Sequence, residues 1–296
     1  RQPRLVEAVE ASLADSQPLV SDYLTTDGVQ DTRYQVTVRP VPSQRLVVLC
    51  FIDVTHVEQA GTMRRDFVAN VSHELRTPLT TLMGFIETLR GPARDDDAAR
   101  DRFLSIMEAE AGRMNRLVGD LLSLSRVEGQ ERVRPRDEVN ITEIVQSVKH
   151  SLGPLAEEAG VELALKLPES PVQMIGDQDQ LLQVVTNLVE NAIKYGASGG
   201  YVEVRVEPTD RDPALRAAGV RIHVLDKGPG IDAVHLPRLT ERFYRADSHR
   251  SRAMGGTGLG LAIVKHIINR HRGRLRVESE PGEGAQFTVI LPIRQL

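Results

Sequence analysis

Asn187-Leu188-Val189-Glu190-Asn191-Ala192-Ile193-Lys194-Tyr195 is the stretch on which the reading of the C-terminal half turns. Its apolar residues recur at helical spacing and belong to an amphipathic helix over Gln178–Lys194. Asn187, Asn191 and Lys194 stand at i, i+4 and i+7, on one face of that helix. Two amides and an ammonium on one face are wasteful in a core. They suit a helix beside a phosphate chain, where an Asn carbonyl joins waters and phosphate oxygens around octahedral Mg²⁺. Alone, the same face also reads as simply solvated.

Two glycine clusters lie downstream. Asp226-Lys227-Gly228-Pro229-Gly230 follows the alternating strand Val220–Leu225. A carboxylate at a strand end, followed by Gly228 and Gly230, lets the backbone approach a flat ligand while Asp226 accepts from an exocyclic amine. On its own this is also a solvated turn. Gly255-Gly256-Thr257-Gly258-Leu259-Gly260 opens an apolar helix, Leu261–Ile268, and backbone N–H groups at such a start bind phosphate. No strand precedes it, as a dinucleotide fingerprint requires, and no Gly-Lys-Ser/Thr follows, as a P-loop requires. Arg238, Arg242, Arg245, Arg250 and Arg252 surround Phe243-Tyr244 between the clusters, as a mobile lid or as a basic solvated loop. The three features together point to an ATP·Mg²⁺ site.

Around this site, helices and strands intermix: a helix at Ile141–Leu152, extended chain at Val161–Leu167, and strands at Tyr201–Glu207 and Val220–Leu225. A helix at Gly258–His271 and a closing hairpin of Leu275–Glu280 with Ala285–Leu291 complete an α/β sandwich of α+β type over residues 138–296. Upstream the period changes. Phe103, Met107, Glu110, Met114, Leu117, Leu121 and Leu124 alternate four- and three-residue steps, the seam of a helical bundle. Val68, Val71, Leu75, Leu79, Leu82, Ile86 and Leu89 make a second stripe, with the helix-kinking Pro78 at its irregular step. Residues 58–128 therefore read as a hairpin of two long helices turning at Gly91–Asp97. Each arm has an apolar stripe that one hairpin covers poorly, so two copies pairing into a four-helix bundle, a homodimer, is the physical expectation. Gly129–Asp137 reads as a linker.

Residues 1–57 turn and alternate like a sheet. Tyr34–Val38 is one strand, ended by Pro40 and Pro42, and the continuous apolar run Leu46–Val54 reads as a central strand with Cys50 in its core. The composition sets bounds on all of this. Of 296 residues, 37 are Lys or Arg and 41 Asp or Glu, a net charge of −4 that argues against a direct nucleic-acid binder. Hydrophobic residues at 41% argue against disorder. The single cysteine excludes a disulfide framework within the chain and suits a reducing compartment. No apolar run approaches the length of a membrane span, and a start at Arg1 suggests a fragment.

The first long helix carries Val71-Ser72-His73-Glu74-Leu75-Arg76-Thr77-Pro78-Leu79. A lone helical histidine is usually structural. His73 differs in having an acid beside it and a hydroxyl one turn on, and it points away from the seam positions Val71 and Leu75. Neutral imidazole is a nucleophile, Glu74 can take or hold its proton, and Thr77 can position a water for the reverse hydrolysis.

His73–Pro78 resembles the phosphoacceptor box of the sensor histidine kinases of two-component systems. Asn187–Tyr195, Asp226–Gly230, Arg242–Tyr244 and Gly256–Leu261 resemble their nucleotide-binding boxes in the family's order, and the resemblance covers residues 57–296. Leu236–Arg245 and Thr257–His266 are especially similar to the phosphate-regulon branch. Residues 1–57, ending in Asp53-Val54-Thr55, look like the C-terminal part of a PAS domain. The resemblance implies that His73 receives the γ-phosphoryl group of ATP and passes it to an aspartate of a response regulator. Glu74 would be the base, and Thr77 would serve a phosphatase activity towards the regulator. Asn191 would bind Mg²⁺, with Asn187 and Lys194 near the phosphates; Tyr195 would pack on adenine and Asp226 bond its amino group. Lys227 departs from the family, which commonly has Asn there. A cytoplasmic portion of a bacterial inner-membrane sensor is implied, its membrane segment absent. An ATP hydrolase or ATP-driven clamp shares this type of nucleotide domain, but His73 in its box argues against it.

Overall fold

The computed structural model describes residues 3–26, 31–41, 46–131, 133–246 and 256–294, apart from the side chains at 59, 60 and 64. It forms two compact units, Arg1–Thr77 and Pro78–Leu296.

The first unit begins with a helix, α1 (Pro3–Asp15), followed by β1 (Leu19–Thr26), β2 (Asp31–Val41) and β3 (Leu46–Asp53). The strands form an antiparallel sheet in the order β1-β2-β3, with Tyr34 opposite both Tyr23 and Asp53. Val36 and Val38 are fully buried, and the Tyr23, Tyr34 and Phe51 rings cluster at 5.7–6.3 Å. Three expectations are corrected here. The stretch is not strands alone, because α1 precedes them; its apolar stripe is thin and interrupted by Glu7 and Glu10. β2 continues through Pro40 to Val41. β3 is an edge strand whose Leu46, Val48, Phe51, Ile52 and Cys50 are exposed, where a central strand with a core cysteine was expected. A run apolar on both faces needs cover on both, and among the described residues only α1 packs on this sheet.

The passage into the next helix is fixed locally. Val54 N–H donates to the Arg33 carbonyl, Thr55 N–H donates to Asp53 Oδ1 at 2.9 Å, and Arg33 pairs with Glu58. The two bonds from Thr55 hold the Asp53 carboxyl below its ordinary range. Helix α2 (Thr55–Arg90) starts there and runs on through Pro78 without a break in its helical backbone. The boundary between the two units falls within it.

In the second unit, α3 (Asp97–Gln130) is capped by Asp96, whose carboxylate accepts the Ala99 N–H, and Phe103 stacks on Phe85 at 4.9 Å. Helix α3 follows the heptad spacing, with Leu117 and Leu124 buried, whereas Val68, Leu79 and Ile86 of the α2 stripe are exposed. Helix α3 ends at Gln130 and the next strand starts at Asp137, so the helix extends two residues into the stretch read as linker.

The remainder comprises β4 (Asp137–Asn140), α4 (Ile141–Glu158), β5 (Glu162–Lys166), β6 (Gln173–Gly176), α5 (Gln178–Gly196), β7 (Tyr201–Asp212), β8 (Ala217–Asp226), α6 (Gly260–Arg270), β9 (Arg274–Glu280) and β10 (Gly284–Pro292). A five-stranded sheet in the order β5-β7-β8-β10-β9 carries the helices α4, α5 and α6 on one face, and β4 pairs with β6 apart from it. Alternation explains the two faces. Val202, Val204, Val206, Ile222, Val224, Phe287, Val289 and Leu291 face the helices and pack with Leu188, Ile193, Ile263 and Ile267. The intervening residues form a polar outer face on which Glu203 takes Lys166, Arg205 and Tyr201 as partners.

Those bonds, the one from Lys166 first, hold Glu203 at about 2 against an ordinary value of 4.5. A carboxyl depressed in the folded state stabilises above its unfolded pKa, and that contribution is lost as pH falls from about 4.5 to about 2. Glu203→Gln is therefore expected to flatten the acid limb of the melting temperature in that window, as read by calorimetry. An unchanged limb would remove Glu203 from the account of acid stability.

Candidate functional site

The site is built where the C-terminal end of α5, the end of β8 and the start of α6 converge. Helix α5 is fixed at its start by Asp177, which accepts the Gln180 N–H and pairs with Arg270 of α6 at 2.7 Å. At its other end, Gly196 lies so near β8 that a Cβ there would stand 2.6 Å from the Asp226 Cβ. A Cβ on Gly228 would stand 2.7 Å from the Gly196 Cα. The Asp226–Gly230 turn thus seats directly on the last turn of α5, beside the Tyr195 backbone. Asp226 is 6% exposed; its Oδ1 accepts the Gly228 N–H at 2.9 Å, and burial pushes its pKa up. Gly230 takes φ +72°, and a Cβ there would meet the Glu280 carbonyl at 2.0 Å.

Alternation at the strand end sends Asp226 towards the helices and Lys227 the other way. The Lys227 ammonium stands 4.7 Å from the centroid of the Tyr201 ring, on the sheet's polar side. The residue that departs from the family pattern is thereby held away from the Asp226 carboxyl.

The second glycine cluster is tied to the segment before it. Gly258, at φ +74°, accepts the Phe243 N–H at 2.8 Å, and a Cβ on it would lie 2.9 Å from the Phe243 Cα. Thr257 Oγ1 receives the Leu259 N–H at 3.3 Å, and the Leu259 side chain is fully buried, which anchors the loop. Helix α6 then begins at Gly260 without a side-chain cap, whereas α3, α4 and α5 are capped by Asp96, Asn140 and Asp177. An uncapped first turn directs its N–H groups outward for an anion. Gly256 leads into this turn.

The polar face of α5 meets that start. The Asn187 amide donates to the Gly260 carbonyl at 3.4 Å; Asn191 is half-buried one turn on, and Lys194 pairs with Glu190 at 2.9 Å. Asn187, Asn191, Lys194, Tyr195, Asp226, Gly228, Gly230 and Gly256–Gly260 are all brought into one region of the second unit. In the intervening segment, Arg242 bonds Glu128 at 2.6 Å, and Arg238 pairs with Glu241 and covers the Tyr244 ring at 4.2 Å. Arg250, Arg252 and Gly255 lie outside the described residues. No group of three or more His, Cys, Asp or Glu suited to a metal occurs among the described residues. A divalent ion here would depend on an Asn carbonyl and on oxygens brought by a ligand, which the donor set of Asn191 fits.

His73, Glu74 and Thr77 belong to the first unit. His73 is exposed on α2, and Thr77 Oγ1 donates to its carbonyl at 3.1 Å. Two participants were not singled out in the sequence. Gly196 looks like an ordinary helix end, and its requirement is set by Asp226, thirty residues away. Asp120 is one of many polar residues in a heptad helix, yet it accepts the Thr257 hydroxyl at 2.6 Å.

Comparison with known proteins agrees with this arrangement. Residues 63–130 match the His Kinase A (phospho-acceptor) domain, and residues 176–295 match the histidine kinase-, DNA gyrase B-, and HSP90-like ATPase. The chain is 44% identical over 237 residues to the phosphate regulon sensor protein PhoR of Pseudomonas aeruginosa, covering 80% of this chain and 52% of that protein. It is 39% identical over 249 residues to the sensor-like histidine kinase SenX3 of Mycobacterium tuberculosis, covering 84% of this chain and 58% of SenX3. The full-length structure of ShkA in complex with AMPPNP aligns with a TM-score of 0.55 at 27% identity, over 78% of this chain and 46% of that one. The chain spans about half the length of these curated relatives. Carrying both modules in one polypeptide, with an ATP-binding module of the ATPase type at its C-terminal end, the chain belongs to the sensor histidine kinases.

Proposed function

We propose that the chain is the kinase portion of a two-component sensor. It takes the γ-phosphoryl group of ATP onto His73 and passes it to an aspartate of a response regulator. The observation that carries this is the meeting of the buried Asp226 turn, the asparagine face of α5 and the uncapped start of α6 in one unit. Asp226 accepts the adenine amino group and Tyr195 packs on the ring. The N–H groups of Gly256–Gly260 take the phosphates, flanked by Asn187 and Lys194. Asn191 supplies a carbonyl to Mg²⁺, which when bound neutralises charge on the phosphates. A nitrogen of His73 forms the bond to the γ-phosphorus as the bond to the β-phosphate oxygen breaks and ADP leaves; Glu74 takes the imidazole proton. The protein's contribution is positioning and electrostatics. AMPPNP bound to ShkA supports the nucleotide assignment.

The partner reading follows from exposed apolar groups in the second unit. Leu79, Met83 and Ile86 of α2 and Leu104, Val118 and Leu122 of α3 are open to solvent in a single chain. Pairing with a second copy into a four-helix bundle covers such stripes. The domain limits proposed are 1–57, 58–128, 129–137 and 138–296, the first as the C-terminal part of a PAS domain. Thr77 serves dephosphorylation of the regulator, and phosphate-regulon signalling is proposed from the name of the Pseudomonas relative. A place on the cytoplasmic side of a bacterial inner membrane rests on the family alone; no described helix is long and apolar enough to cross a membrane.

Incubation with γ-labelled ATP and Mg²⁺ tests the central reading. The expected product is a phosphoprotein labile to acid and stable to alkali; release of free phosphate with no such product would favour a hydrolase. Lys227 supplies a subsidiary test. A cation–π contact at an exposed site is worth about 0.5–1 kcal/mol. Lys227→Met is expected to change ATP affinity by no more than about fivefold by calorimetry, at about 1.4 kcal/mol per tenfold. A greater loss would place the ammonium in the nucleotide site.

A further inference from the structure

Helix α3 reaches the phosphate-loop candidate through one carboxylate. Asp120 lies on α3 between the buried Leu117 and Leu124, and its Oδ2 accepts the Thr257 hydroxyl at 2.6 Å. Burial raises the Asp120 pKa, and the charged groups facing it are Glu190 and Lys194 of α5 and Arg116 of α3. Helix α3 also packs on α6, with its Leu117, Leu124 and Val127 buried, and further polar pairs join it to the ATPase module. Ser123 exchanges hydrogen bonds with Gln183 at 2.8–2.9 Å, Glu128 holds Arg242 at 2.6 Å, and Glu131 stands 3.2 Å from His266. At the loop itself the docking rests on the Thr257–Asp120 pair, which water or a ligand can replace.

A threonine hydroxyl has one proton to donate. Given to Asp120, it is not available to a phosphate oxygen, and a carboxylate at this position also repels a polyphosphate entering the loop. We propose that Asp120 competes with the nucleotide phosphates for Thr257, so that docking of α3 on the loop and binding of a triphosphate oppose each other. This rests on the ATP reading above. Because binding linkage is reciprocal, ATP loosens the Asp120 contact by the same factor by which that contact weakens ATP. Asp120 is then a specificity-determining residue of the phosphate subsite. It sets how strongly the loop distinguishes a phosphorylated nucleoside from a bare one.

The experiment uses the whole chain with ATP and adenosine as probes, their affinities measured by calorimetry or competition. Asp120→Ala removes both the charge and the acceptor. It is expected to raise ATP affinity about tenfold, the scale of one hydrogen bond to a charged group, and to leave adenosine affinity unchanged. Asp120→Asn keeps an acceptor, removes the charge, and guards against a folding defect; its expected gain is about threefold. In a Thr257→Val background the gain from Asp120→Ala shrinks, since the shared hydroxyl is gone. A merely structural role would move ATP and adenosine together. If both Asp120 variants leave the ratio of ATP to adenosine affinity at the wild-type value, or lower it, the proposal is overturned while the ATP reading stands. If the wild-type chain binds no ATP, the ATP reading itself falls.

Discussion

His73→Ala is expected to abolish acid-labile phosphate incorporation while ATP affinity stays within about twofold of wild type. The imidazole is the only group at this position able to form the phosphoryl–nitrogen bond, so its removal eliminates the reaction instead of slowing it. Its exposure on α2 makes the change mild for folding, within about 0.5 kcal/mol for a surface substitution. In the proposed site nucleotide affinity rests on Asp226, α5 and the start of α6, none of which is altered. Retained binding with lost labelling is therefore the expected signature. Persistence of the label at wild-type level would sink the assignment of His73, and loss of both would point to misfolding, which a melting curve detects. Glu74→Gln is a graded companion: removing the proton acceptor slows labelling about 10²- to 10⁴-fold, the usual contribution of general base catalysis.

Much of this architecture is legible in the residues because it follows from short-range rules. The steps from Phe103 to Leu124 declare a helix with one buried side, and Leu117 and Leu124 are buried as that spacing requires. The alternation at Tyr201–Glu207 and Val220–Leu225 gives two strands of the sheet and the face each presents. The Asn187–Lys194 face is legible for the same reason, since it lies within one helix. What depends on distant partners is not legible. Gly196 is required only because Asp226 returns against it, and Asp120 acquires a role only because Thr257 meets it. β3 misleads in the opposite direction. Its apolar content describes a strand covered on both faces, whereas the described residues supply one covering helix. Pro78 lies in the interior of α2, as its place in the apolar stripe requires, at the cost of one helical hydrogen bond.

The other large effect is expected at Asp226, where binding and stability should separate. The carboxyl is 6% exposed and burial raises its pKa, so its ionised form is disfavoured in the unliganded fold. The sign follows from linkage. A group whose folded pKa lies above the unfolded value stabilises most below the unfolded pKa, and that contribution is lost as pH rises through the folded one. Where Asp226 is ionised it thus costs stability to the empty protein. In the proposed site an adenine amino group donating to it would offset that cost when ATP binds. Asp226→Asn removes the charge and keeps the shape, so the unliganded melting temperature should hold or rise. ATP affinity should fall about 5- to 12-fold, the difference between a hydrogen bond to a charged acceptor and one to the neutral carbonyl that Asn keeps. Gly196→Ala offers an independent approach without touching the ligand. Its Cβ would stand 2.6 Å from that of Asp226 and must displace the turn, so it should lower both ATP affinity and stability. A parallel loss of stability and binding in Asp226→Asn would mean that the carboxylate supports the fold, and the base-recognition role would then have to be assigned elsewhere. A gain or no change in melting temperature with lost ATP binding identifies a residue held ready for its ligand at the expense of the empty state.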